Sequence, residues 1–372
     1  MKDDARVIML AAGGTGGHLF PAFALAEELD RRGRIVDLVT DMRGDRYGTG
    51  FPARTIHKVP SATASGRDPL TLARAAVTLA RGVAAAHTLL AQVRPSVVVG
   101  FGGYPTFPPL LAARMRGIPT AIHEQNAVLG RANRMLAKRV GAIATSFERT
   151  KLLDGPLLEK ASYTGNPVRD VVIRASAIPF RPPEPNGQLR LVVFGGSQGA
   201  RFFSDTVPDA LTRLPAPLRA RLDVVQQTRV EDLDRVRQAY AAAGIQATLA
   251  TFFRDLPERM ANTHLVIGRA GASSVAELTV IGRPSILVPL PHALDNDQLQ
   301  NATRLAESGG AWCIEQKDLT IDRLGGEIAR LAGAPLELQQ AAAAAKLQGR
   351  PDAVKRLSDL VETLAGTGGL AR

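Results

Sequence analysis

Residues 11–22 read AAGGTGGHLFPA, in which Gly13, Gly14, Gly16 and Gly17 enclose Thr15 and His18 follows at once. Glycine costs conformational entropy wherever it stands, so such a cluster marks a sharp turn or a close approach of another group to the main chain. An imidazole at the end of the loop is able to take a proton near neutral pH. Further glycine clusters follow strand-like runs, as GFGGYPTFPP at 100–109, FGGSQGA at 194–200 and GRAGASSVAEL at 268–278. A glycine loop that enters a helix offers free N–H groups and the positive end of the helix dipole, which suits an anion. Gly271 in particular precedes a helix whose first turn could present N–H groups to a diphosphate. The loops GGTGGHL and FGGSQGA lack the usual phosphate fingerprints, having neither the G-x-G-x-x-G frame nor a Lys-Ser or Lys-Thr at P-loop spacing.

The elements that must hold these loops are short apolar runs alternating with helical patterns. RVIMLA, IVDLVT, SVVVGF, PTAIH and GAIATS occupy the first half, and LRLVVFGG, LDVVQQ, QATLATF, HLVIGR and PSILVP the second. That alternation predicts parallel βαβ units. Both halves open as strand, glycine loop, helix, so two Rossmann-like domains with parallel sheets facing a cleft are expected. Ligands in such sheets bind beyond the carboxyl ends of the strands. The stretch SAIPFRPPEPNGQ, 176–188, suits neither helix nor inner strand and reads as a linker or a domain-edge loop. Beyond the alanine-rich helix of 336–346, DAVKRLSDLVETL predicts one more amphipathic helix.

The 372 residues suit two domains, and 45% hydrophobic with 22% charged residues is a globular composition. A net charge of +11 favours an anionic partner: nucleic acid, an acidic membrane surface or a phosphorylated substrate. Nucleic acid is disfavoured, because no basic tract is interleaved with aromatics and aromatics make up only 5% of the chain. The single cysteine, Cys313, allows no internal disulfide and fits a reducing compartment. Neither a secretory leader nor an uncharged transmembrane stretch is expected.

The ordered set GGTGGHLFPA, GFGGYP, HEQN (123–126), GNPVR (165–169), FGGSQGA, RAGASSVAEL and DNDQLQNA (295–302) resembles the bacterial MurG family. Its members are UDP-N-acetylglucosamine:N-acetylmuramyl-(pentapeptide) pyrophosphoryl-undecaprenol N-acetylglucosamine transferases, inverting enzymes of the α/β GT-B fold. The resemblance implies an acceptor- and membrane-side domain over 1–165 and a UDP-GlcNAc-binding domain over 166–348. Residues 349–372 would form a C-terminal helix packing back on the first domain.

By position, the resemblance implies that Thr15, Gly16, Gly17 and Asn126 meet the donor, UDP-GlcNAc. Arg169 and Ser197 would hold its diphosphate, a guanidinium and a hydroxyl being suited to phosphate oxygens. The backbone of Phe253 would read the uracil, Gly271, Ala272 and Ser274 would line the diphosphate, Glu277 would accept from the ribose, and Gln298 would bind the GlcNAc hydroxyls. Gly102, Gly103, Tyr104 and His123 would stand on the side of the lipid-linked muramyl-pentapeptide acceptor. His18 is the first choice of general base and Glu124 the reserve, with positioning beside Asn126 as its alternative task. Ser274 replaces a frequent Thr and Gly268 a frequent Ser, which touches only fine geometry.

Blander readings accompany several of these residues. Ser274 and Glu277 have the spacing of a capping box. Asp295 and Asp297 have the look of a metal-binding D-x-D pair, yet they open a helix, where acidic residues are ordinary. No metal and no cofactor is implied by the resemblance. Residues 68–94, DPLTLARAAVTLARGVAAAHTLLAQVR, carry Arg74, Arg81 and Arg94, and Arg114, Arg116, Lys138 and Arg139 lie in the same domain. Such an apolar helix with flanking cations suits an anionic bilayer, while its plain reading is a helix packed into the sheet. The expected location is the cytoplasmic face of the bacterial inner membrane, held peripherally, with cell-wall synthesis proteins as further partners. The competing functions are another GT-B UDP-sugar enzyme, either a glycolipid synthase or a UDP-GlcNAc 2-epimerase, and a non-catalytic nucleotide-binding protein. GGYP and HEQN weigh against the first two.

Overall fold

The computed structural model describes residues 7–13, 16–41, 50–61, 68–291 and 293–367. The chain divides into two compact units, Met1–Arg169 with Pro351–Arg372, and Asp170–Arg350.

In the first unit β1 (Ile8–Ala11), α1 (Gly16–Arg31), β2 (Val36–Thr40), β3 (Thr55–Lys58), α2 (Pro69–Val93), β4 (Val97–Gly100) and α3 (Phe107–Met115) follow in turn. Then come β5 (Thr120–Glu124), α4 (Arg131–Ala137), β6 (Ala142–Thr145) and β7 (Ala161–Tyr163). The strands form one sheet of order β3-β2-β1-β4-β5-β6-β7, every neighbouring pair being parallel. Strands β1 (IMLA) and β4 (VVVG) are buried throughout, as inner strands covered on both faces require. The strand order runs outward in opposite senses from β1 and from β4, which are themselves parallel, so the loops after these two strands flank the switch point where ligands bind in such sheets.

The second unit contains α5 (Asp170–Ala175), β8 (Leu189–Phe194), α6 (Gly196–Thr212), α7 (Ala216–Arg219), β9 (Leu222–Gln227), α8 (Leu233–Ala242) and β10 (Gln246–Ala250). It continues with α9 (Leu256–Ala261), β11 (Leu265–Gly268), α10 (Ala272–Ile281), β12 (Ser285–Leu287), α11 (Asp297–Glu307) and β13 (Ala311–Cys313), and closes with α12 (Ile321–Ala332) and α13 (Pro335–Gln348). Its parallel sheet has the order β10-β9-β8-β11-β12-β13, with the switch point between β8 and β11. The last helix, α14 (Ala353–Thr367), belongs to the first unit: Leu357 and Val361 enter the β1 core, and Arg32 pairs with Asp359 at 2.6 Å and Glu362 at 2.7 Å.

Residues 176–188 do not connect the two units but lie within the second. Arg283 donates to the Ile178 carbonyl, Arg221 donates to those of Glu184 and Gly187, and Phe180 packs on the core. Prolines therefore mark an anchored edge loop, whose composition is that of a linker. Helix α2 also departs from the plain reading. Asp68 caps it, accepting from the Thr71 N–H at 2.9 Å, yet over residues 71–93 only Gly82, Ala86 and Leu90 are buried. One i, i+4, i+8 stripe touches the unit, and most of its apolar residues face outward. By length and composition alone, Thr71–Val93 could cross a membrane.

Candidate active site

The β1 loop delivers Gly16, Gly17 and His18 to the first turn of α1. Beside it, the β4 loop turns at Gly102 and Gly103, whose φ angles of 87° and 74° belong to the left-handed region that favours glycine. A Cβ on Gly102 would come within 3.2 Å of the His18 ring, and one on Gly103 within 3.3 Å. The imidazole thus rests on bare backbone. Tyr104, half-buried, begins the 3-10 turn that follows.

From β5 comes HEQN. His18 Nδ1 is 3.1 Å from Gln125 Oε1, and Gln125 Nε2 is 3.0 Å from His123 Nδ1 and 3.0 Å from the His123 carbonyl. His123 Nε2 in turn lies 3.0 Å from the Gly165 carbonyl. His123 is fully enclosed, and burial pushes its ring down to about 4, so it is neutral. With both ring nitrogens bonded inside the unit, it has no face toward a substrate.

Glu124 is 1% exposed. Its Oε1 accepts from the backbone N–H of Asn126 at 3.0 Å and from Asn126 Nδ2 at 3.3 Å; its Oε2 accepts from the Gly130 N–H at 2.8 Å and from Asn133 Nδ2 at 2.8 Å. Burial raises the carboxyl pKa against the pull of these donors. Four N–H groups converging on one carboxylate make it a clamp for the 126–133 turn. That arrangement favours its positioning task over that of a base, and it carries Asn126 with it.

Arg169 ends the first unit with its guanidinium 4.4 Å from the centre of the Phe20 ring. A Cβ on Gly16 would meet that same ring at 3.1 Å, so Arg169 is held against the opening turn of α1. Thr15 falls outside the described residues.

In the second unit the loops after β8 and β11 take the corresponding places. Gly195 caps α6, Gly196 follows with φ 63°, and its N–H donates to Gln227 Oε1 at 3.1 Å. Ser197 stands in the first turn of α6; its side chain is outside the described residues. After β11, Gly271 caps α10 without any side-chain hydrogen bond, and Ala272 is the first helical residue. Ser274 is thus already the third residue of the helix, and the capping box with Glu277 does not form. Glu277 is buried two positions beyond the first turn. Buried Arg269 fixes the loop from behind, donating to the Val288 and Pro289 carbonyls and to Gln316 Oε1.

Ahead of α11, Asp295 and Asn296 both hold positive φ, 56° and 54°. Two successive non-glycine residues in that region store strain, which clusters at ligand clamps. Gln298 follows, its Oε1 accepting from the Leu290 N–H at 3.0 Å, while Asp297 Oδ1 accepts from the Gln298 N–H at 2.7 Å. Among the described residues no group of three or more His, Cys, Asp or Glu side chains could hold a metal ion. Phe253 is half-buried, with Arg259 stacked 4.7 Å from its ring centre.

Sequence reasoning left Gln125, Phe20 and Asn133 without roles. Gln125 stood inside a quoted motif, so a signal existed there. Phe20 stood inside GGTGGHLFPA as well, but its stack with Arg169 shows only in the fold, and Asn133, outside every motif, becomes visible only once α4 meets β5.

Residues 8–145 match the glycosyltransferase family 28 N-terminal domain, and residues 190–357 the C-terminal domain of that family. The chain is 53% identical over 360 residues to the UDP-N-acetylglucosamine--N-acetylmuramyl-(pentapeptide) pyrophosphoryl-undecaprenol N-acetylglucosamine transferase of Chelativorans sp. (strain BNC1), covering 97% of this chain and 96% of that one. The enzyme of the same description from Methylobacterium sp. (strain 4-46) is 54% identical, with 95% and 96% covered. Among solved structures, Acinetobacter baumannii MurG superposes with a TM-score of 0.78 at 27% identity, over 96% of this chain and 99% of that one. With its two parallel-sheet α/β units of GT-B type, the chain belongs to glycosyltransferase family 28 and, within it, to the MurG family.

Proposed function

We propose that the protein transfers GlcNAc from UDP-GlcNAc to the C4 hydroxyl of undecaprenyl-pyrophosphoryl-MurNAc-pentapeptide, lipid I, with inversion, giving lipid II for peptidoglycan. The observation that carries this reading is the 53% identity, along 97% of the chain, to a transferase named for that donor and acceptor.

A sugar hydroxyl is a weak nucleophile and must lose its proton as it attacks the anomeric carbon. His18, seated on the Gly102–Gly103 backbone, is assigned as the base. Glu124 is assigned to positioning, presenting Asn126 to the sugar. Gly16 and Gly17 allow the substrate to approach the first turn of α1, and Thr15, which directly precedes them in the sequence, is assigned to the donor with them. The leaving UDP gathers negative charge, which donors already aimed at it stabilise most. Arg169, Ser197 and the helix ends at Gly196 and at Gly271, Ala272 and Ser274 are assigned that task. Glu277 takes the ribose hydroxyls, the Phe253 backbone the uracil, and Gln298 the GlcNAc hydroxyls. Gly102, Gly103 and Tyr104 lie on the acceptor side.

A membrane-docking role for α2 and α3 rests on three observations. Ala76, Leu79, Val83, Phe107, Leu111 and Met115 help line an apolar groove of ≈ 670 Å³. Exposed Arg74, Arg81, Arg114, Lys138 and Arg139 belong to the same unit. The chain as a whole carries a charge of +11. An apolar face with flanking cations fits the anionic surface where a lipid acceptor resides, at the cytoplasmic face of the membrane.

The test is turnover with labelled UDP-GlcNAc and a short-chain lipid I analogue. Release of UDP with gain of one GlcNAc by the acceptor supports the reading. Conversion of UDP-GlcNAc to its 2-epimer without any acceptor product would replace it with the epimerase reading.

A further inference from the structure

The contacts around His18 determine which of its nitrogens carries the proton, because a series of hydrogen bonds is anchored at one end by a carbonyl. The Gly165 carbonyl can only accept, so His123 Nε2, 3.0 Å away, is the N–H. Burial keeps that ring neutral, and Nδ1 is therefore its acceptor. The hydrogen bond to Nδ1 must come from Gln125 Nε2, at 3.0 Å. That amide orientation is fixed a second time by the His123 carbonyl, which takes a hydrogen bond from the same nitrogen at 3.0 Å. Gln125 Oε1 is left facing His18 Nδ1 at 3.1 Å, and an amide oxygen can only accept. His18 thus carries its proton on Nδ1.

We propose that Gln125 and His123 are positioning residues for the transfer, the chain Gly165 carbonyl, His123, Gln125 and His18 holding the His18 imidazole with Nδ1 protonated so that Nε2 carries the lone pair that takes the acceptor's proton. The proposal rests on the reading of His18 as the base. In the step, the acceptor O–H bond gives its proton to Nε2 while the oxygen forms its bond to the anomeric carbon. The bond from that carbon to the UDP oxygen breaks, and its electron pair leaves on UDP. The imidazolium so formed keeps its Nδ1–H on the Gln125 oxygen. A neutral amide serves this role where a carboxylate would not, because a negative charge beside the ring would favour imidazolium before the substrate is bound. His123 and Gln125 are both buried, so neither amide nor ring is free to turn. The backbone of Gly102 and Gly103 holds the plane of the His18 ring, since a Cβ on either would come within 3.2–3.3 Å of it.

The test reads the tautomer directly and then perturbs it. In the full chain labelled with 15N-histidine, the His18 signals, assigned by their loss in His18→Gln, are expected to show a protonated Nδ1 and an unprotonated Nε2 at neutral pH. A His18 protonated on Nε2 would overturn the proposal. Gln125→Glu, nearly isosteric, is expected to raise the apparent acid-limb pKa of kcat by roughly one to three units, as an opposite charge within hydrogen-bond reach does. A profile superimposable on that of the wild type counts against the relay, since a purely structural role leaves the profile in place. Gln125→Leu, where it folds, is expected to lower kcat by roughly tenfold or more, up to the roughly 10²–10⁴ that a positioned base is worth, at unchanged KM for UDP-GlcNAc. His18→Ala separates the two ideas. Full turnover without the imidazole removes the base reading and the proposal together, whereas an inactive His18→Ala beside an Nε2-protonated wild type removes the relay alone.

Discussion

The guanidinium carbon of Arg169 stands 4.4 Å from the centre of the Phe20 ring, two residues beyond His18 in the sequence. A cation over an aromatic face is worth about 0.5–2 kcal/mol, depending on how far water is excluded. Phe20 is therefore expected to aim Arg169. Phe20→Leu should raise KM for UDP-GlcNAc by a few-fold to about thirtyfold, and Arg169→Lys, which loses both the stack and the planar fork, by at least as much. Unchanged donor affinity in both folded variants, measured by calorimetry, would remove Arg169 from the diphosphate.

Glu124→Gln replaces one acceptor oxygen by an amide that faces N–H donors. Loss of a hydrogen bond to a charged, buried group costs about 1–3 kcal/mol, so the variant should unfold at lower denaturant and show weaker sugar binding through Asn126. Its kcat should fall far less than that of a variant lacking the base. A fully stable Glu124→Gln with kcat reduced by roughly 10³ or more would instead make Glu124 the base.

In both units the inner strands could be read from sequence and most of the edge strands could not. Inner strands such as β1 and β4 announce themselves because both faces are buried and the run is apolar. Strands β3, β7 and β13 do not: the first is largely exposed TIHK, and the others are three residues each. Edge strands carry mixed residues on a half-solvated surface, which gives a pattern no different from a loop. The glycine loops were legible, since left-handed φ at Gly102, Gly103 and Gly196 demands that residue. The inward turn of Glu124 was not, because Gly130 and Asn133 come from a later loop and helix. Helix α2 could be read either way, since an apolar helix looks alike in sequence whether it meets a core or a bilayer.

His123 supplies a pH dependence of stability. Its folded-state pKa of about 4, caused chiefly by burial, lies below the 6.5 of a free imidazole. The unfolded chain therefore binds more protons in that window, and stability is complete above about 6.5 and falls as pH drops toward 4. The contribution is on the order of 3 kcal/mol. Denaturant melts of wild type and His123→Gln between these limits should differ in slope, the variant being flatter. Parallel slopes would mean that His123 is not held neutral.

Membrane binding should be salt-sensitive and should depend on the outward face of α2. Leu72 and Val77 are 43% and 59% exposed, so Leu72→Asp with Val77→Asp is expected to fold normally and to float poorly with anionic vesicles. Wild-type flotation should fall as salt screens the cationic surface. Equal recovery on neutral and anionic vesicles at every salt concentration contradicts the electrostatic part.

Inverting transfer onto a muramyl C4 hydroxyl is recorded in the bond that is formed. After incubation with UDP-GlcNAc and a short-chain lipid I analogue, the product disaccharide can be examined by NMR for the position and configuration of its new linkage. One added GlcNAc is expected, joined β-1,4, with one UDP released per transfer. An α linkage, attachment at another hydroxyl, or UDP released with no disaccharide would contradict it.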